Sequence, residues 1–234
     1  MILAADTFKT NSDLMLACRE LGYISDIDDV LDMTYGRGTW WKKWEPHRLV
    51  TNDLDPKSKA ESHHDFRDLP GEWEGEFDVV AFDPPYVAVG GRATSTIGNF
   101  NDAYGLVTVP KTPADLHIFI VEGLLEAHRV LRKKGVVLFK AMNYVTSGAY
   151  NLQAYAAIHA VAREFRVRDE FIHLRKPGPQ PSDTKCRTCD GKGVWPQEDG
   201  TEPTCKACDG ATSFPRPQKH ARRNYSHLFV LEKR

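Results

Sequence analysis

The run Phe77-Asp78-Val79-Val80-Ala81-Phe82 reads as a buried strand, and Asp83-Pro84-Pro85-Tyr86 stops it. Neither proline has a backbone N–H to give to a sheet ladder, so the strand ends with Asp83 at its C-terminal tip. The same pattern recurs along the chain. Val30-Leu31 leads into Asp32, Arg48-Leu49-Val50-Thr51-Asn52 into Asp53, and Gly135-Val136-Val137-Leu138-Phe139 into Lys140. His64-Asp65-Phe66 fits a further short strand, and Phe165–Leu174 and Tyr225–Lys233 fit two more. Helical spacing marks Asn11–Leu21, stopped by Gly22, then Asp115–Arg132 and Tyr150–Phe165. A short helix is expected after Gly38, limited by Pro46. Strands alternating with helices imply an α/β fold, a parallel sheet covered by helices on both faces. Such sheets bind ligands beyond the C-terminal ends of their strands. Asp32, Asp53, Asp65, Asp83 and Lys140 all fall on that edge. Lys140 itself reads as a core-edge lysine whose ammonium reaches toward solvent. Val87–Pro113 reads as a long functional loop.

The 234 residues are enough for one large domain or a domain with a small module, and the 41% hydrophobic and 27% charged content is that of an ordinary globular protein. No apolar run reaches the roughly 20 residues of a membrane span. Met1–Asp6 lacks the form of a signal peptide, so a cytoplasmic location is expected. The net charge of −1 advertises no polyanionic partner, but the charge is unevenly placed. Residues 174–224 carry ten Lys/Arg and six Asp/Glu, net +4, and the rest of the chain is net −5. That basic stretch also holds four of the five cysteines.

Asp83-Pro84-Pro85-Tyr86 resembles the D-P-P-Y motif of S-adenosylmethionine-dependent amino-methyltransferases. The chemistry suits the residues. An exocyclic amine on a base is a weak nucleophile because its lone pair is delocalised into the ring. Two acceptors taking its hydrogens favour a pyramidal nitrogen and free that pair. The resemblance implies the Asp83 carboxylate and the Pro84 carbonyl as the acceptors, Pro85 as part of the rigid turn, and Tyr86 stacked on an extruded base. Asp32-x-x-x-Gly36-x-Gly38-Thr39 resembles the family's D-P-F-x-G-S-G-T segment, with Met33 and Arg37 in place of its proline and serine. This implies that the backbone of Tyr35–Gly38, with Thr39, lies against the methionine part of S-adenosylmethionine. Asp32 would meet the amino group of the cofactor or order the turn. Asp53 is placed to accept from ribose hydroxyls, with Asp55 as a competitor. Asp65 resembles the acid that meets the adenine amino group, and Phe66 the apolar residue packed on that ring. The resemblance covers about residues 28–174 and 225–233. It implies a class I methyltransferase, Rossmann-like sheet, mostly parallel with the last strand antiparallel. Ser226-His227 resembles an H-E pair of relatives, but Leu228 replaces the acid and no role is assigned.

Cys186-x-x-Cys189 and Cys205-x-x-Cys208, 15 residues apart, have the spacing of a four-thiolate structural zinc site. Each pair is followed by Asp-Gly, a pattern that resembles half of the cysteine-rich domain of DnaJ chaperones. The expected organisation is a methyltransferase domain over 1–174 and 225–234, interrupted at 175–224 by a zinc ribbon. By the expected topology the ribbon leaves from the active-site edge of the sheet. Arg175, Lys176, Arg216, Lys219, Arg222 and Arg223 flank it as candidate phosphate contacts.

The expected reaction is methylation of adenine N6 in DNA. Cytosine N4 in DNA, and guanine N2 or adenine N6 in RNA, are the alternative substrates. A zinc-ribbon binding module on an inactive scaffold is the non-enzymatic alternative.

Overall fold

The computed structural model describes residues 8–86, 110–146, 148–174, 184–195, 197, 200–214 and 224–234. The chain divides into two compact units. One comprises residues 1–175 with 223–234, the other residues 176–222.

The first unit is built on a sheet. Its strands in chain order are β1 (Asp29–Asp32), β2 (Arg48–Thr51), β3 (Phe77–Phe82), β4 (Leu131–Ala141), β7 (Phe165–Leu174) and β10 (Tyr225–Lys233). Their spatial order is β2-β1-β3-β4-β10-β7. The pairings among β2, β1, β3 and β4 are parallel, and β10 runs antiparallel to both of its neighbours. A small hairpin, β5 (Tyr144–Thr146) and β6 (Ala149–Asn151), follows β4. Among the described residues the α-helices are α1 (Asn11–Glu20), α2 (Pro113–Val130) and α3 (Gln153–Ala160). Thr10 and Thr112 close capping boxes with Asp13 and Asp115 at the starts of α1 and α2.

Strand alternation divides the core into two clusters. Val80, Phe82, Val137, Phe139 and Phe229 pack with α2 and α3. Val79, Ala81, Leu138, Leu228 and Val230 pack with α1, Trp40 and Trp41. The central strands are thus buried on both faces, which is why their sequences are almost continuously apolar. Gly123 lets α2 approach closely: a Cβ there would lie 2.5 Å from the Phe82 ring and 2.7 Å from the Phe66 ring.

Three expected elements differ. The segment after β1 forms turns rather than a short helix, because Trp40 and Trp41 are drawn into the core and their indole N–H groups into carboxylates. Residues 64–66 form no strand. The buried side chain of Asn52 accepts from His64 N at 2.8 Å and donates to His64 O at 3.0 Å, so one amide replaces a strand ladder. The expected helix over 150–165 is shorter, since Tyr150 pairs with Val145 in the hairpin before α3 begins. The expected loop over 87–113 lies outside the described residues except for its last four positions. Among the described residues no helix is long and apolar enough to cross a membrane.

The second unit contains a two-stranded ladder, β8 (Thr184–Lys185) with β9 (Ser213–Phe214). Val194 and Thr204 add one bridge.

Candidate active site

The sheet places Asp32, Asp53 and Asp83 beyond the C-terminal ends of β1, β2 and β3. The turn after β1 joins them. Thr34 Oγ1 accepts from Asp83 N at 2.8 Å, and Asp53 Oδ2 accepts from Gly36 N at 2.6 Å. Gly36 and Gly38 have φ of +55° and +61°, which L side chains rarely adopt. A Cβ on Gly38 would also lie 2.6 Å from the Tyr35 hydroxyl, so the Tyr35 ring occupies the space that glycine leaves.

Asp32 is buried, and accepts from Trp41 Nε1 at 2.7 Å and from Thr34 N at 3.1 Å. Burial pushes its carboxyl up to about 7, against the opposing effect of those two donors, and the charges of Asp83 and Asp53 push the same way as burial. Asp53 also accepts from Asp55 N at 2.9 Å, so Asp55 serves here as a backbone partner of Asp53. Tyr35, Gly36, Arg37, Asp53, Asp55 and Lys57 are among the residues that line a cavity of about 510 Å³.

Among the described residues three donors hold the Asp83 carboxylate. Oδ2 accepts from Trp40 Nε1 and from Lys140 Nζ, each at 3.2 Å, and Oδ1 accepts from the Tyr86 hydroxyl. Pro84 and Pro85 are buried beneath this turn. Lys140 also donates to Asn11 Oδ1 at 2.8 Å, and Asn11 Nδ2 donates to Thr39 Oγ1 at 2.9 Å. Thr39 and Trp40 are adjacent, so these bonds close a ring from the start of α1 through β4 to Asp83 and back.

Several expected residues are placed differently. Lys140 is 6% exposed and lies inside this ring, so it does not reach for solvent. Thr39 joins the turn to α1, its carbonyl accepting from Ser12 Oγ at 3.0 Å. Asp65 is gripped by Arg67, whose Nε and Nη2 donate to its two oxygens at 3.0 and 2.7 Å. Phe66 is buried in the core, edge-on to Phe82 and Phe119 with centroids 5.0 and 4.7 Å apart. The acid missing after His227 comes from the neighbouring strand: His227 Nδ1 lies 2.6 Å from Glu170 Oε1. Trp40, Trp41 and Asn11 were not singled out by the sequence. Their partners are 43, 9 and 129 residues away, and no local pattern announces such contacts.

In the second unit Cys186, Cys189, Cys205 and Cys208 are all buried, with their Sγ atoms within 4.8 Å of one another. Cys189 and Cys208 Sγ are 3.7 Å apart, too far for a disulfide. That separation suits two thiolates on one tetrahedral metal, since Zn–S bonds of about 2.3 Å set S···S near 3.8 Å. Gly193 N donates to Cys189 Sγ at 3.2 Å. Gly191 and Gly210, both at φ +76°, repeat the same turn after each Cys pair. The four sulfurs could therefore hold one metal with no open position. Arg175, Lys176, Arg216, Lys219, Arg222 and Arg223 lie outside the described residues.

The sheet, mostly parallel with one antiparallel strand, is that of the class I methyltransferase fold. No family model matches the chain, and no curated protein matches it. Solved structures do. The chain is similar to the MccD protein at a TM-score of 0.51 and 13% identity, covering 97% of this chain and 99% of that one. It also aligns with TrmN from Thermus thermophilus at a TM-score of 0.47 and 17% identity, over 94% of this chain and 48% of that one. The N-methyltransferase NodS from Bradyrhizobium japonicum, solved with S-adenosyl-L-homocysteine, aligns at 0.47 and 10% identity over 95% and 85% of the two chains. At these identities the likeness concerns the fold alone.

Proposed function

We propose that the chain is an S-adenosylmethionine-dependent methyltransferase acting on an exocyclic amino group of a nucleic-acid base, adenine N6 in DNA first. The observation that carries this reading is the held carboxylate of Asp83. It stands at a strand end where α/β sheets bind ligands, next to a rigid Pro-Pro turn and an aromatic ring. Its Oδ1, with the Pro84 carbonyl, would accept the two amino hydrogens and leave the nitrogen lone pair free to attack. Tyr86 would stack on the base. The proton given up by the methylated nitrogen passes to Asp83 or to water.

Asp32, Tyr35, Gly36, Gly38 and Asp53 would hold the cofactor, with Asp53 on the ribose hydroxyls. The residues present fit it. Three carboxylates converge on the turn, and mutual repulsion helps push the Asp32 carboxyl up, so a ligand carrying positive charge is favoured there. When bound, S-adenosylmethionine supplies a methyl group already activated on a sulfonium, so positioning supplies much of the rate. Asp65 and Phe66 would contribute to the adenine end after Arg67 releases the carboxylate. The four cysteines would hold a structural zinc. Arg175, Lys176, Arg216, Lys219, Arg222 and Arg223 would contact DNA phosphates.

The test is Asp83→Ala. Turnover is expected to fall below detection while S-adenosylmethionine affinity stays within a factor of a few. Normal turnover in the variant would remove the role of Asp83 and the reading with it.

A further inference from the structure

The two oxygens of Asp83 are used differently. Oδ2 is fixed from below by Trp40 and Lys140, which are 5% and 6% exposed. Among the described residues Oδ1 meets only the hydroxyl of Tyr86, a half-buried side chain just past the two prolines. Lys140 shows a matching asymmetry. An ammonium has three N–H donors. Among the described residues, one goes to Asp83 Oδ2 and a second to Asn11 Oδ1. For the third, the described neighbour is a ring face: Nζ lies over Tyr86, 5.9 Å from its centroid. Tyr86 therefore covers both the free side of the carboxylate and the remaining donor of the ammonium. A base that took Tyr86 as its stacking partner would replace these two contacts of the side chain. It would then meet an acceptor and a donor side by side, with Nζ 3.2 Å from the carboxylate.

We propose that Asp83 and Lys140 together read the N=C–NH2 edge of a base. Asp83 Oδ1 accepts a hydrogen of the amino group, and Lys140 Nζ donates to the ring nitrogen beside the amino-bearing carbon. This rests on the methyl-transfer reading and deepens it by making Lys140 a substrate-reading residue. Adenine offers N6–H with N1, and cytosine offers N4–H with N3. An aromatic amine flanked only by C–H lacks the acceptor and leaves a buried ammonium donor unpaired, which a site built this way rejects.

The test uses synthetic oligonucleotides carrying the sequence that the wild-type chain methylates, with either the natural base or its deaza analogue at the target. The analogue is 1-deazaadenine for adenine or 3-deazacytosine for cytosine; each replaces the ring nitrogen by C–H and keeps the amino group. Wild-type kcat/KM is expected to fall about 10- to 100-fold on the analogue, the range for losing one charge-assisted hydrogen bond. Lys140→Met should be slow on the natural base and lose nothing further on the analogue. An equal analogue penalty in both chains overturns the proposal. So does a wild-type chain that methylates the analogue as fast as the natural base, a result that needs no variant to fold. A wild-type chain that binds S-adenosylmethionine but methylates no base removes the methyl-transfer reading, and this inference falls with it.

Discussion

The two units hold their shape by different means. The first buries large side chains on both faces of a sheet, and its site is a network of hydrogen bonds anchored in that core. In the second, the buried cluster among the described residues is the four cysteines themselves, while Trp195 and Phe214 remain 49% and 42% exposed. Burying apolar surface stabilises by roughly 25 cal/mol per Å², and the described residues of the second unit bury little of it besides the cysteines. Packing fixes the candidate site of the first unit, whereas in the second the cysteines would fix the fold by holding the proposed metal.

Metal removal would break the comparison most visibly. Metal analysis of protein prepared under reducing conditions should find one zinc per chain. Chelation should then unfold the second unit and leave the thermal transition of the first in place, because the binding free energy of a structural metal is folding free energy. A second unit whose spectroscopic signature survives without metal would show that the cysteines pack as ordinary core residues.

A smaller effect is expected at Asp53. Replacing it with alanine removes the partner of Gly36 N and the proposed ribose acceptor. Calorimetric affinity for S-adenosylmethionine should fall by about 1–3 kcal/mol, while Asp55→Ala, which removes a carboxylate but not the Asp55 N–H donor, should cost less. The reverse order would move the ribose role to Asp55.

The smallest expected effect is on pH. The Asp32 carboxyl, pushed up to about 7, binds its proton more tightly in the folded chain than in the unfolded one. Its contribution to stability is therefore present at low pH and is lost as pH rises from about 4 through about 7. Cofactor affinity should run the opposite way, rising through about pH 7 as Asp32 ionises to meet a positively charged ligand. Asp32→Asn should flatten both profiles; an unchanged pH dependence of affinity would assign it to another group.

The legible parts of this molecule share a physical origin. The strand ends at Asp32, Asp53 and Asp83, the helix expected over 115–132 and found at Pro113–Val130, and the two Cys pairs are written in short local patterns, because ladders, helix faces and tight turns are satisfied within a few residues. What was not legible depends on contacts across the sheet. Lys140 looked like a lysine reaching for water, but the Asp83 and Asn11 acceptors that keep it inside come from distant segments. Trp40 and Trp41 looked like part of a short helix, yet their indole N–H groups are drawn to carboxylates on neighbouring strand ends. Residues 64–66 fit a short strand by position, but the Asn52 side chain took the backbone hydrogen bonds of His64.

Transfer of labelled methyl from S-adenosylmethionine to duplex DNA, single-stranded DNA and total RNA, followed by nucleoside analysis, decides whether this chain methylates bases. The account predicts label in N6-methyladenine from DNA, lost in Asp83→Ala. Label in N4-methylcytosine, or in RNA alone, would keep the chemistry and change the substrate. No label in any nucleic acid, from protein that binds the cofactor, would contradict it.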